Sequence, residues 1–383
     1  MSTLAGQIRI TVTTAAAHAP RVAIANSRPV GLATRLAGLE PEAALRRVSL
    51  LYSACRSAQT LAGCEAIEAA HDFAVAPEHR LARSFLLAAE TVLEHAQGIF
   101  LHWPQLLGKP ATYVPTVGQL HASLGNLARS LYPQNDWMRP GGGLLQPDHS
   151  ALAACLHSAR NALSAANLAS LPEAASLEAW LQTAEGPAAN LLRHIEDNGW
   201  QSYGAGNVAA LEAVDQSTLG TLLAHDENLD FVAQPTWQGA PHWTGPLARQ
   251  SNHPLVHAAA ARHGCGLAAH LFAQCIETQR MFEEMHALLP QLKHARPEDF
   301  SPREGSGLGL VQAARGLLAH RVEIATGHLT RYQILAPTEW NFHPRGIVAQ
   351  GLAHSPAGAS QAADLFIAAL DTCVPCSIDW QNR

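Results

Sequence analysis

Valine, isoleucine and threonine gather in a few short stretches of a chain otherwise rich in alanine and leucine, which confines sheet to those stretches and leaves the rest to helix. Residues 7–12 (QIRITV) alternate as a half-buried strand does, and Arg21 to Ala25 can pair with them after a turn near Ala19 and Pro20. Residues 320–335 (HRVEIATGHLTRYQIL) alternate in the same way and read as a hairpin closing at Thr326 and Gly327. Elsewhere apolar residues recur at helical spacing: Pro41 to Ala70, Glu78 to Leu106 with Pro104 marking the approaching end, and roughly 115–131, 149–168, 173–184, 253–289 and 357–370. Pro140 to Gly143 (PGGG) and Pro235 to Gly245 read as loops. The expected class is therefore mainly α with short β elements, an α+β fold.

Length and charge narrow the functions. With 383 residues, 48% of them hydrophobic and 15% charged, the chain can bury one large core or two smaller ones. A formal charge of -6 without a dense Lys/Arg block offers nucleic acid no electrostatic footprint. No apolar run reaches bilayer-spanning length, and Arg9 inside the first strand-like stretch does not fit a signal peptide, so no membrane partner and a cytoplasmic location are expected. The seven cysteines are odd in number and sparse, which argues for reduced thiols over a disulfide framework. Among 21 histidines, His257, His263 and His270 lie at spacings that match no compact zinc motif and read as ordinary structural residues.

The strongest chemical signal is Cys373-Val-Pro-Cys376. A two-residue gap lets both sulfurs face one metal or form a redox dithiol. The redox reading expects the pair at a helix start within a βαβ unit, whereas here it follows a helical stretch and almost ends the chain. Two unconnected thiols remain the plain alternative.

The order of motifs around that pair carries a resemblance. Gln312-Ala-Ala-Arg315-Gly316 with His320, then Arg331-Tyr332-Gln333, Pro337-Thr338-Glu339-Trp340-Asn341, Pro344-Arg345 and Asp371-Thr372-Cys373-Val374-Pro375-Cys376 follow one another. In that order they resemble the APRG...H, NYQ, PTTWN, PR and DPCxxC elements of the large subunit of nickel-iron hydrogenases. Gly6-Gln7-Ile8-Arg9-Ile10 is similar to the family's opening GHLRI, and Gly245-Pro246-Leu247-Ala248-Arg249 to its central GPLAR. Ungapped counting from Gly38 sets Tyr52 and Cys55 on its N-terminal cysteine pair. Residues about 107–230 add little.

What the resemblance implies is specific. In the family four thiolates hold nickel, and the second cysteine of each pair also bridges to an iron carrying cyanide and carbon monoxide. Cys55 and Cys376 fall on the bridging positions, Cys373 on a terminal nickel position, and Tyr52 replaces the other terminal ligand. A phenol is a hard oxygen donor and a poor substitute for a thiolate on nickel. Ala5 stands where the family has a proton-handling glutamate, Ala33 where a carboxylate helps bind magnesium, and Gln59 and Asp379 where histidines follow the two pairs. Arg315, Pro337 and Thr338 match positions that surround the diatomic ligands, where fixed donors in a dry site stabilise cyanide. The plain reading of Arg315 is a solvated or ion-paired arginine.

HupK/HoxV-type maturation proteins resemble large subunits in this degenerate way. The resemblance therefore implies a non-catalytic scaffold without nickel, holding the iron-dicyanide-carbonyl unit transiently on Cys55, Cys373 and Cys376. Its expected partners are a small maturation chaperone carrying that unit and the immature hydrogenase large subunit. An interaction-only chaperone, a divergent catalytic subunit and a dithiol oxidoreductase are the alternatives. The implied fold is a large-subunit-like helical body with N-terminal and C-terminal hairpins, residues 1–383 forming one domain whose ends meet at the cysteines.

Overall fold

The alternation at the N-terminus becomes a strand pair because Ile8, Ile10 and Val12 all point inward and are fully buried. In the computed structural model, which describes residues 6–15, 18–168, 177–299, 303–354 and 359–382, these residues belong to β1 (Ile8–Ala15). β2 (His18–Asn26) pairs with it antiparallel, Ile10 opposite Ile24 and Val12 opposite Val22. The reversal comes earlier than the sequence suggests: Ala15 already pairs with His18, so Ala19 and Pro20 lie inside β2.

Helix α1 (Pro41–Leu51) starts on a proline and stops at Tyr52; a short 3-10 turn, Ser53–Cys55, leads into α2 (Arg56–Ala70). The continuous helical spacing from Pro41 to Ala70 is thus broken where the candidate cysteine sits. Helix α3 (Pro77–Gln97) instead runs on through one wider turn, Gly98–His102, into Trp103–Leu106, as the spacing predicts. The 253–289 stretch splits at Gly264, whose φ is +65°, into Pro254–His263 and α4 (Leu267–Leu288). Between α3 and α4 the buried Glu277 carboxylate accepts from Arg249 at 2.6 and 2.7 Å and from Gln250 at 3.1 Å, with His95 Nε2 2.8 Å away. Helices Pro187–Asp197 and Gln216–Ala224 fall outside the predicted stretches.

A second sheet holds β3 (Gly305–Ala313), β4 (Gly316–Ala325) and β5 (His328–Leu335), all antiparallel. The predicted hairpin closes at Thr326 and Gly327, both in the left-handed region at φ 50° and 76°. Strand β3 was not expected, because glycine disfavours strands. Its glycines serve contact instead: a Cβ on Gly305, Gly307 or Gly309 would come within 2.3, 2.0 and 2.1 Å of the carbonyl oxygens of Ala70, Ala66 and Ala62. Helix α2 therefore lies backbone to backbone on the sheet.

The chain ends in β6 (Cys376–Asn382), which follows the short helix α5 (Pro337–Asn341) and helix α6 (Ser360–Leu370). β6 adds parallel to the free side of β1, with Ile8 opposite Cys376 and Ile10 opposite Ile378. The Ile8 N–H donates to the Pro375 carbonyl at 2.9 Å, so the two ends are neighbours. Among the described residues no helix is long and apolar enough to cross a membrane.

A candidate thiol site between two buried arginines

Cys55 heads α2 at its N-cap position without capping it. A helix start leaves backbone N–H groups without partners, and here the Glu90 carboxylate of α3 takes two of them, Ser57 at 2.6 Å and Ala58 at 2.9 Å. Burial pushes Glu90 up to about 7 in spite of these bonds. Burial, then the nearby Glu90 and Cys373, push the Cys55 thiol up to about 12.

Cys373 comes from the other end of the chain. Helix α6 stops at Asp371, whose φ of 48° turns the backbone toward the cysteine pair. The Thr338 hydroxyl lies 3.3 Å from the Cys373 sulfur, and Pro337 starts the short helix α5 that holds it; both are buried. Cys376 opens onto a cavity of about 400 Å³ beside Glu94, Asp364 and Asp371. Burial and the Asp364 carboxylate push its thiol up to about 12.

Arg315 sits in the turn between β3 and β4. Its Nη2 is 2.7 Å from Glu94 of α3 and its Nε 3.1 Å from Asp371. Burial opposes the charge, yet Asp371 and Glu94 hold the guanidinium above its ordinary range, and Cys55 and Cys373 lie close enough to feel it. The turn needs glycine after it, since Gly316 has φ +134° and faces Thr244. Thr244 accepts the Leu317 N–H at 3.0 Å and donates its own N–H to Asn341 at 2.8 Å. Those two bonds stitch the GPLAR, ARG and PTEWN segments into one wall.

A second arginine escaped the sequence reading. Arg28 follows β2 and ion-pairs through Nη1 with Oε1 of Glu339, a residue only 1% exposed. Its charge acts on Cys373 and Tyr52. Burial raises the Tyr52 phenol above its ordinary value, and Arg28 works against that rise. The available signal was the glutamate of PTEWN: a carboxylate inside an otherwise buried motif requires a cation.

Cys55 and Cys373, from opposite ends of the chain, thus lie within reach of each other's charge and of Arg315, with the Thr338 hydroxyl on Cys373, while Cys376 lines the neighbouring cavity. Among the described residues no three Cys, His, Asp or Glu side chains are arranged to hold a metal ion. Ala5 lies outside the described residues, and Ala33 is buried. Gln59 Oε1 lies 2.9 Å from His320 Nε2, whose Nδ1 is 2.9 Å from the Tyr332 hydroxyl, a polar chain closed inside the core. Asp379 is exposed on β6 and accepts from Gln381 at 2.8 Å. His270 packs edge-on to Trp243 and Phe366, and burial takes it down to about 3.

Residues 193–355 match the model of the nickel-dependent hydrogenase family. The Ni-Fe-Se hydrogenase of D. vulgaris Hildenborough superposes with a TM-score of 0.67 at 14% identity, covering 94% of each chain, and this defines the fold as that of a hydrogenase large subunit. Hydrogenase expression/formation protein HupK of Rhizobium leguminosarum is 31% identical over 98% of this chain and 96% of its own. HoxV, the expression/formation protein of Cupriavidus necator, is 29% identical over 93% and 92%. The chain belongs to the HupK/HoxV family of hydrogenase expression/formation proteins.

Proposed function

We propose that the chain is a non-catalytic scaffold of nickel-iron hydrogenase maturation. It takes the iron-dicyanide-carbonyl unit from a small maturation chaperone, holds it as cargo on Cys55, Cys373 and Cys376, which draw in around the metal only as it loads, and passes it to the immature large subunit. What supports this reading is that Cys55 and Cys373, from opposite ends of the chain, lie within reach of each other's charge and of the buried Arg315, with the Thr338 hydroxyl 3.3 Å from the Cys373 sulfur.

Each part has a chemical task. Thiols held near 12 stay protonated until a metal displaces the protons, so loading is proton-linked. Arg315 and Thr338 are donors in a low-dielectric pocket, where hydrogen bonds to cyanide nitrogen are strong. The Cys376 cavity offers the cargo a way in and out.

Maturation in cells separates this reading from its rivals. In a strain whose own copy is deleted, Cys55→Ala and Cys376→Ala chains should fail to restore a mature large subunit. Full restoration by both would favour an interaction-only chaperone. Hydrogen turnover by the purified chain would favour a divergent catalytic subunit.

A further inference from the structure

Two of the chain's departures from the large-subunit pattern are tied to Arg28, one by an ion pair and one by its charge. Tyr52 stands where the resemblance puts a terminal nickel thiolate, and Glu339 where PTTWN has its second threonine. Glu339 is the residue after Thr338, whose hydroxyl touches the Cys373 sulfur. Its Oε1 pairs with Arg28, and Asn26 Nδ2 lies 3.5 Å from the same oxygen. The Arg28 charge reaches Cys373 and Tyr52, the two terminal-ligand positions, and the Arg315 charge reaches Cys55 and Cys373.

We infer that the Arg28–Glu339 pair makes this pocket refuse a free divalent cation such as Ni2+, by setting a fixed guanidinium beside the thiol that such an ion would need. The inference rests on the pocket being a lodging for a metal cargo and names what that lodging rejects. A dication arriving beside Tyr52 and Cys373 meets the guanidinium end of the pair, which outweighs the Glu339 carboxylate at Tyr52, in a low-dielectric wall where repulsion is far stronger than in water. It finds a phenol in place of a soft sulfur. The arginine cannot easily swing aside: Glu339 is 1% exposed and, among the described residues, its Oε2 has no hydrogen-bond partner, so departure of Arg28 would leave a buried carboxylate with only the 3.5 Å contact from Asn26.

Equilibrium dialysis of Ni2+ against the full, reduced, iron-free chain tests this, with Tyr52→Cys supplying the missing thiol. Tyr52→Cys alone should remain a weak nickel binder. Tyr52→Cys with Arg28→Met and Glu339→Thr, which removes the pair as a unit, should bind Ni2+ at least about tenfold more tightly and show nickel-thiolate absorption in the near ultraviolet. Tyr52→Cys with Arg28→Lys keeps the charge and should stay weak. Should the triple variant fail to fold, as judged by circular dichroism, Arg28→Gln with Glu339→Gln in the Tyr52→Cys background replaces it, removing both charges while keeping polar side chains at both positions. Equal nickel affinity with and without the pair, or tight binding by the unaltered chain, overturns the inference. The dialysis involves no iron unit, so its outcome is independent of whether the chain carries that cargo.

Discussion

The Glu90 carboxylate accepts the Ser57 backbone N–H at 2.6 Å, and through that bond α3 fixes the turn on which Cys55 sits. Burial holds Glu90 near 7, above the ordinary carboxylate value of 4.5. Between those two values the folded chain keeps a proton that the unfolded chain has lost, so this group's contribution to stability falls as pH rises through the window. A displacement of that size corresponds to at most about 3 kcal/mol. Glu90→Gln should therefore flatten the loss of thermal stability between pH 5 and 8, measured by melting at a series of pH values. Glu65, also raised to about 7 by burial, keeps part of the slope in the variant.

Thiol reactivity follows from the same burial. With Cys55 and Cys376 near 12, alkylation by iodoacetamide should rise about tenfold per pH unit from 7 to 10 without levelling, where an ordinary cysteine levels near 8.5. Glu90→Gln removes a negative charge beside Cys55 and should speed its alkylation at pH 9, while Cys376 stays unchanged. Peptide-resolved mass spectrometry reads both rates in one sample.

Thr338→Val keeps the shape of the side chain and deletes the hydroxyl 3.3 Å from the Cys373 sulfur. A hydrogen bond to a charged group contributes about 1.5–3 kcal/mol. Iron retained after gel filtration without oxygen should fall about tenfold or more, and Thr338→Ser should restore it. Equal retention in all three would remove Thr338 from the site.

The sequence made the helical body and both hairpins legible because their apolar periodicity is strong. It concealed β3, whose glycines weaken strand propensity while permitting the contact with α2. It also concealed β6, whose partner β1 lies at the opposite end of the chain, so no local pattern announces the pairing. The break at Tyr52 was hidden because apolar spacing continues through it while the backbone turns. At the site, motif order located Cys55, Cys373, Thr338 and Arg315. Arg28 was missed because its partner Glu339 is 311 positions away, and only folding shows that the carboxylate needs it.

The most direct test of the central claim is infrared spectroscopy of the chain purified without oxygen from cells that make the iron unit. Cyanide and carbonyl stretching bands should accompany the unaltered chain and vanish in Cys55→Ala, Cys373→Ala and Cys376→Ala. A chain without such bands, or bands indifferent to all three substitutions, would contradict the account.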